Sequence, residues 1–337
     1  MDSSVYGMTL TVLAGAVGSS TLMPFKYVRG WKWENTWLTY SFLAYFIFPW
    51  LAAILTVPHL LSAYQHVGLG TVCLVGLFGF GWGASVVLYG LGLEIVGLSL
   101  TSAIILGCSV AIGSLVPLLV LEPHRLATLS GLHIVAADLL MVCGVFFCAW
   151  AGELRERPKD GGQPKPADSR FVWGLLICFI AGILAPLLNI SLAVGAGITR
   201  HALAMGANHL YAADGVWGLA VSMGALPSLG TCFVKLSKNH TWNRYAGNKN
   251  AGNYLLCFVM GLFFIISTVM YGAAAGVLGT LGPVLGWPVY MSSLIIGNNF
   301  WGWYTGEWAG ARSLAIRTML FGIAVQIVAM VLLGIAK

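Results

Sequence analysis

Residues 79–97 read GFGWGASVVLYGLGLEIVG, and residues 261–279 read GLFFIISTVMYGAAAGVLG. At a constant offset of 182, Gly79 meets Gly261, Ser85 meets Ser267, Val87 meets Val269 and Tyr89 meets Tyr271. Gly90 and Gly97 fall on Gly272 and Gly279 in the same register. Both copies are apolar, rich in small residues and centred on Ser-x3-Tyr-Gly. An internal repeat in an apolar chain marks a carrier built from two related halves, with its site between them. The competing explanation is that glycine-rich membrane helices resemble one another by composition. Against it, Ser, Val, Tyr and the glycines align without a gap.

Composition points the same way. Of 337 residues, 58% are hydrophobic and only 8% charged, which excludes a soluble globular chain. Apolar runs long enough to cross a bilayer occur at 5–24, 36–57, 69–93, 97–121, 129–150, 171–196, 208–234, 252–277, 281–304 and 312–335. Hydrocarbon offers the backbone no hydrogen-bond partner, so each run is expected as a helix. The expected fold is an all-α membrane protein of ten transmembrane helices. The first run has no basic residue ahead of it, unlike a cleaved leader, and is expected to remain as a helix. The polar, Pro- and Gly-rich linker 153–170 separates a first five-helix repeat, 1–152, from a second, 171–337. With five helices in each half, the second enters from the opposite face, and the repeats are expected to be inverted.

The net charge of +6 follows from topology. Fourteen of the seventeen Lys and Arg fall in segments after odd-numbered runs, at 26, 29, 32, 155–170, 235–249, 312 and 317. The other side holds Arg125, Arg200 and Lys337. By the positive-inside rule both termini face outward and the linker faces the cytoplasm of a multi-pass bacterial inner-membrane protein. The lipid bilayer, and no nucleic acid, is the partner this pattern implies. All seven cysteines lie inside apolar runs without a CxxC pair, as small packing residues do. Zinc, P-loop and nucleophile-elbow signatures are missing from the sequence, so no cofactor, no metal and no enzymatic activity are expected.

Trp82, Ser85 and Tyr89 are spaced i, i+3, i+7 and share a helix face. Phe264, Ser267 and Tyr271 repeat that spacing. Rings that stack on a sugar, beside hydroxyls that bond its rim, make these two faces candidate substrate contacts. Hydroxyl bonding between neighbouring helices is the alternative. Pro186 and Pro288 free backbone carbonyls where they interrupt the helical ladder. Asn189, one turn beyond Pro186, is read as a cavity-lining amide. Trp287, beside Pro288, is either a stacking platform on a broken helix or an interfacial belt residue. Gly79-x3-Gly83, Gly282-x3-Gly286 and Gly302-x3-Gly306 are read as packing motifs. Two acids lie inside spans, Asp138 and Asp214. Asp138 sits about 14 Å along its helix at 1.5 Å per residue, near the middle of a core roughly 30 Å thick. It is the candidate proton carrier, with a hydrogen bond to a neighbouring helix as the alternative role.

Short motifs add a family resemblance: Pro24-Phe25-Lys26, Val28, Trp31, Trp33-Glu34, Phe78-Gly79, Trp82-Gly83 and Tyr89-Gly90-Leu91. Ala151-Gly152-Glu153-Leu154-Arg155-Glu156-Arg157, Trp287, Met291-Ser292 and Glu307-Trp308 continue it. In this order, over nearly the whole chain, they resemble the L-rhamnose–proton symporter family of the drug/metabolite transporter superfamily. The resemblance implies the drug/metabolite transporter fold and import of a small sugar, L-rhamnose first, coupled to protons. A metabolite or drug exporter on the same fold and a non-transporting membrane partner are the alternatives.

Overall fold

The structure is a computed structural model, and it describes residues 3–156, 169–247 and 250–335. The middle of the linker, 157–168, lies outside the described residues.

Every long apolar run is helical, and among the described residues there is no strand. The helices are α1 (Ser3–Ser19), α2 (Trp33–Ser41), α3 (Phe48–Thr56), α4 (Leu60–Ile95) and α5 (Leu98–Leu121), followed by α6 (Leu129–Glu156). After the linker come α7 (Ser169–Leu184), α8 (Leu187–Val194), α9 (Ala196–Ala204) and α10 (Asp214–Lys238), then α11 (Ala251–Leu278), α12 (Gly282–Tyr304) and α13 (Ser313–Ile335). Within the described residues nine helical runs are long and apolar enough to cross a membrane. One of them, Ala251–Tyr304, is 54 residues long and consists of α11 and α12, which pack against each other across a short 3₁₀ turn at Gly279–Leu281.

Several runs are less regular than their composition predicts. A π-helical stretch, Phe42–Ile47, joins α2 to α3 and turns Ala44 and Tyr45 into the core. Helix α4 begins nine residues before the expected start, and Gly68 breaks it with φ 79°. Pro186, with no N–H to give, separates α7 from α8. Pro288 has no such effect: α12 runs through it without interruption, so Trp287 stands on a continuous helix and not on a broken one.

The surface and interior are arranged as in a bilayer protein. Leu55, Leu69, Val120, Leu139 and Trp173 are exposed, while Asn35, Asp138, Asn189, Asp214 and Gln326 are buried. With lipid as apolar as leucine, close backbone approach and polar bonds hold the helices together. Gly79 and Gly83 of α4 lie flat on the backbone of Ala220 and Gly224 of α10, and a Cβ at either glycine would run into a carbonyl. Gly282 meets the backbone of Ala275 in the same way. The Gly302/Gly306 pair does not act as a packing motif: Gly306 lies past the end of α12, in a turn, with φ 81°.

Helix α1 packs on α11 and α12, α4 on α10 and α7, and α6 on α13 and α5. The two copies of the repeat lie on α4 and α11. Their equivalent rings, Trp82 and Phe264, stack on each other against the largest buried cluster, 6.1 Å apart and 25° from parallel.

Candidate substrate site

The basic segments collect at one end of the bundle. Lys26, after α1, pairs with Glu307, after α12, and Glu307 also accepts from Arg155 of α6 at 3.0 Å. The Arg155 guanidinium lies 5.0 Å from the centre of the Trp308 ring. Lys26, hydrogen-bonded to Glu307, holds that carboxyl below the usual carboxylate range, and Arg155 adds to the effect. Beside this cluster Glu34 accepts from Asn239 at 2.9 Å and Thr241 at 3.0 Å. Asn253 grips the backbone of Arg29 through both its amide groups. The 235–250 excursion is thereby fastened to the start of α2.

Two cavities with charged side chains on their walls lie at this basic end. The larger, ≈ 930 Å³, lies between α2, α4 and α10, with Trp33, Glu34, Trp37, Gly90, Ser228 and Lys235 on its wall. Lys235 pairs with Glu94 across it at 3.5 Å. The smaller, ≈ 240 Å³, has Tyr89, Ser102, Asn298, Asn299, Arg155 and Glu307 on its wall.

Toward the opposite end the bundle is sealed by a polar junction. Asn189, fully buried on α8, donates to the carbonyls of Gly113 at 2.8 Å and Pro283 at 3.0 Å. Its carbonyl oxygen accepts from the Tyr271 hydroxyl at 2.5 Å. Trp287 donates its indole N–H to the Ser109 carbonyl at 3.0 Å. Rings of Tyr271, Trp287 and Tyr290 fill the space between, with centroids 4.9–5.9 Å apart. Ser267 ties the same group to α1 through the Ala14 carbonyl at 2.7 Å, and shares a bond with Tyr290 at 2.9 Å.

The expected site residues therefore separate into groups. Asn189, Ser267, Tyr271 and Trp287 meet in the sealed junction. Asn189, expected on a cavity wall, spends its whole amide on helix-to-helix bonds. Trp287 is buried in the helix core, away from any lipid-facing belt. Tyr89 is set apart, bonded to Ser102 at 2.7 Å on the smaller cavity. Ser85 bonds back to the Trp82 carbonyl of its own helix at 2.7 Å. Trp82 packs against Tyr45, 5.1 Å between centroids, and Phe264. Asp138 is buried on α6, with the Ser114 hydroxyl of α5 beside its carboxyl and no ion pair among the described residues. Asp214 opens α10 and accepts from Thr56 at 2.9 Å. Among the described residues no cluster of His, Cys, Asp or Glu could hold a metal ion.

Sequence reading missed the large cavity. Its signal was present: Trp33 and Trp37, four apart, put two rings on one helix face, and they stack at 5.4 Å. It was hidden by the habit of tryptophans beside basic residues to anchor helix ends in headgroups. The ion cluster had a signal too, since Lys26, Arg155 and Glu307 come from three of the motifs that carry the family resemblance.

A multi-pass helical bundle with cavities entering from one end and a bonded seal toward the other has the architecture of a membrane carrier. The chain belongs to the L-rhamnose-proton symport protein (RhaT) family, whose model matches residues 1–337. Similar proteins include the L-rhamnose-proton symporter of Salmonella typhi, 26% identical over 98% of this chain and 97% of its own. That of Klebsiella pneumoniae (strain 342) is 27% identical with the same coverage. One solved crystal structure covers 97% of this chain and 99% of its own with TM-score 0.54 and 14% identity, a likeness of fold.

Proposed function

We propose that the chain imports L-rhamnose together with protons across the bacterial inner membrane, by alternating exposure of one central site. The observation that carries alternating exposure is the unequal state of the two repeat copies. Tyr89 stands on an open cavity at the basic end, whereas its counterpart Tyr271 is bonded into the seal. Inverted halves in opposite local states are what a carrier caught open to one side requires. The substrate comes from the relatives, which bear the name of L-rhamnose-proton symporters over almost their full length.

In this reading the chain forms ten spans, with α11 and α12 counted separately, in two inverted halves, 1–152 and 171–337. Both termini face outward, and the basic end faces the cytoplasm. A chain freed of its native cysteines and given Ser3→Cys or Gly162→Cys tests the orientation in intact cells. An impermeant thiol reagent labels position 3 alone; labelling of position 162 alone reverses the assignment.

Trp82, Ser85, Tyr89, Ser267, Tyr271, Trp287 and Asn189 contact the sugar or close over it during the cycle. Asp138 carries the proton: it is an intramembrane carboxyl with no cation beside it among the described residues, able to take up and give up a proton as access changes. Vesicles containing the purified chain, with an inward proton gradient and a panel of labelled monosaccharides, test both statements. L-rhamnose accumulates, and a protonophore abolishes the accumulation. If no sugar of the panel accumulates, import of sugar is refuted. Asp138→Asn keeps the shape of the side chain, and it still exchanges sugar but no longer concentrates it. Accumulation at the parental level would remove Asp138 from the coupling step.

A further inference from the structure

The large cavity at the basic end has the furnishing of a sugar site in its own right, and no residue of its wall belongs to the set predicted from sequence. Ser228 of α10, 1% exposed, is on the cavity wall, and its buried hydroxyl has no hydrogen-bond partner among the described residues. A buried hydroxyl left unpaired costs free energy unless something that enters the space bonds to it. Across the same cavity stands Trp37, half-buried, stacked on Trp33 at 5.4 Å with the planes 14° apart. The Glu34 carboxylate, 5% exposed, completes the wall; it accepts from Asn239 and Thr241 on Oε1 and from its own backbone N–H. An aromatic face, a hydroxyl and a carboxylate around one space are the groups that recognise a monosaccharide. The ring covers its C–H face, and the polar groups exchange hydrogen bonds with its hydroxyls.

The position of the cavity supports the same conclusion. From Trp37 the rings continue inward through Tyr40 at 5.3 Å, Tyr45 at 5.4 Å and Trp82 at 5.1 Å. This row ends at the stacked pair of Trp82 and Phe264. The π-helical turn at Phe42–Ile47 interrupts the α-helical register of the second span between Tyr40 and Trp50, and such turns collect at functional sites.

We infer that the cavity between α2, α4 and α10 is a second monosaccharide subsite, with Trp37 as the stacking ring and the Ser228 hydroxyl and Glu34 carboxylate as hydrogen-bond partners. The sugar occupies it between the centre of the bundle and the basic end. The inference rests on the reading of the chain as a sugar carrier, and it adds a place on the path that reading leaves open.

Equilibrium binding of labelled L-rhamnose to the purified chain in detergent, with other labelled monosaccharides beside it, tests the subsite. Ser228→Ala weakens binding about 2- to 10-fold, the loss of one hydrogen bond. Trp37→Leu weakens it about 10-fold, and Trp37→Phe recovers most of that loss by restoring a ring. The thermal unfolding midpoint of each variant, unchanged from the parent, separates lost binding from lost folding. Where a midpoint does fall, Trp37→Phe and Ser228→Ala, which keep ring and volume, decide the question. Parental affinity in both Ser228→Ala and Trp37→Leu overturns the subsite and leaves sugar import standing. Binding of a different monosaccharide, weakened by the same variants, retains the subsite and overturns the choice of L-rhamnose. No binding of any monosaccharide by the parental chain overturns both.

Discussion

Replacing Asn189 by Leu is expected to abolish sugar uptake and to lower the thermal midpoint of the purified chain. The side chain is fully buried and serves three partners on three other helices: the Gly113 carbonyl of α5, the Pro283 carbonyl of α12 and the Tyr271 hydroxyl of α11. Leucine keeps the branching of the side chain and bonds to none of them. Each polar group left buried without a partner costs about 1–3 kcal/mol. The seal therefore fails as a unit. Tyr271→Phe leaves only the Asn189 carbonyl oxygen without its partner and is expected to cost about 1–3 kcal/mol. Uptake by Asn189→Leu at more than half the parental rate would show that the seal has no part in transport.

Gly83→Leu is expected to yield no folded protein. The Gly83 backbone touches the Gly224 backbone, Gly79 touches Ala220 one turn away, and a Cβ at either glycine would overlap main-chain atoms that cannot rotate aside. The two helices would have to separate along their whole contact, at a cost above about 3 kcal/mol, beyond ordinary overpacking of a core. Size-exclusion chromatography in detergent reads the result as loss of the monodisperse peak. Gly276→Ala provides the contrast, because nothing lies within 4 Å of a Cβ built there. It is expected to elute and unfold like the parent, and a normal profile for Gly83→Leu would refute the close-contact account.

The helical, membrane-crossing character of the chain was legible because the bilayer allows little else: long apolar runs with few charges must bond their own backbones. The family was legible from motifs spread along the chain. Local irregularities were less so. Proline position alone does not distinguish Pro186, which separates two helices, from Pro288, which a helix accommodates. The repeat directed attention to Ser85, Tyr89, Ser267 and Tyr271, and helical spacing does place each pair on one face. Spacing is silent on which end of a helix is open, and for that reason Tyr89 and Tyr271 occur in such different surroundings. Trp37, Glu34 and Ser228 were missed because they come from helices on which the repeat is not visible, and only packing brings them together.

The stacking of Trp82 on Phe264 has a geometric consequence. A two-fold operation that interchanges the halves of the chain moves almost every residue to a place formerly held by its counterpart. A pair of counterparts that touch each other is carried onto itself. If the two halves are inverted and exchange conformations as proposed, this contact is the fixed point about which the rest exchanges, and the two rings are the pivot of the motion.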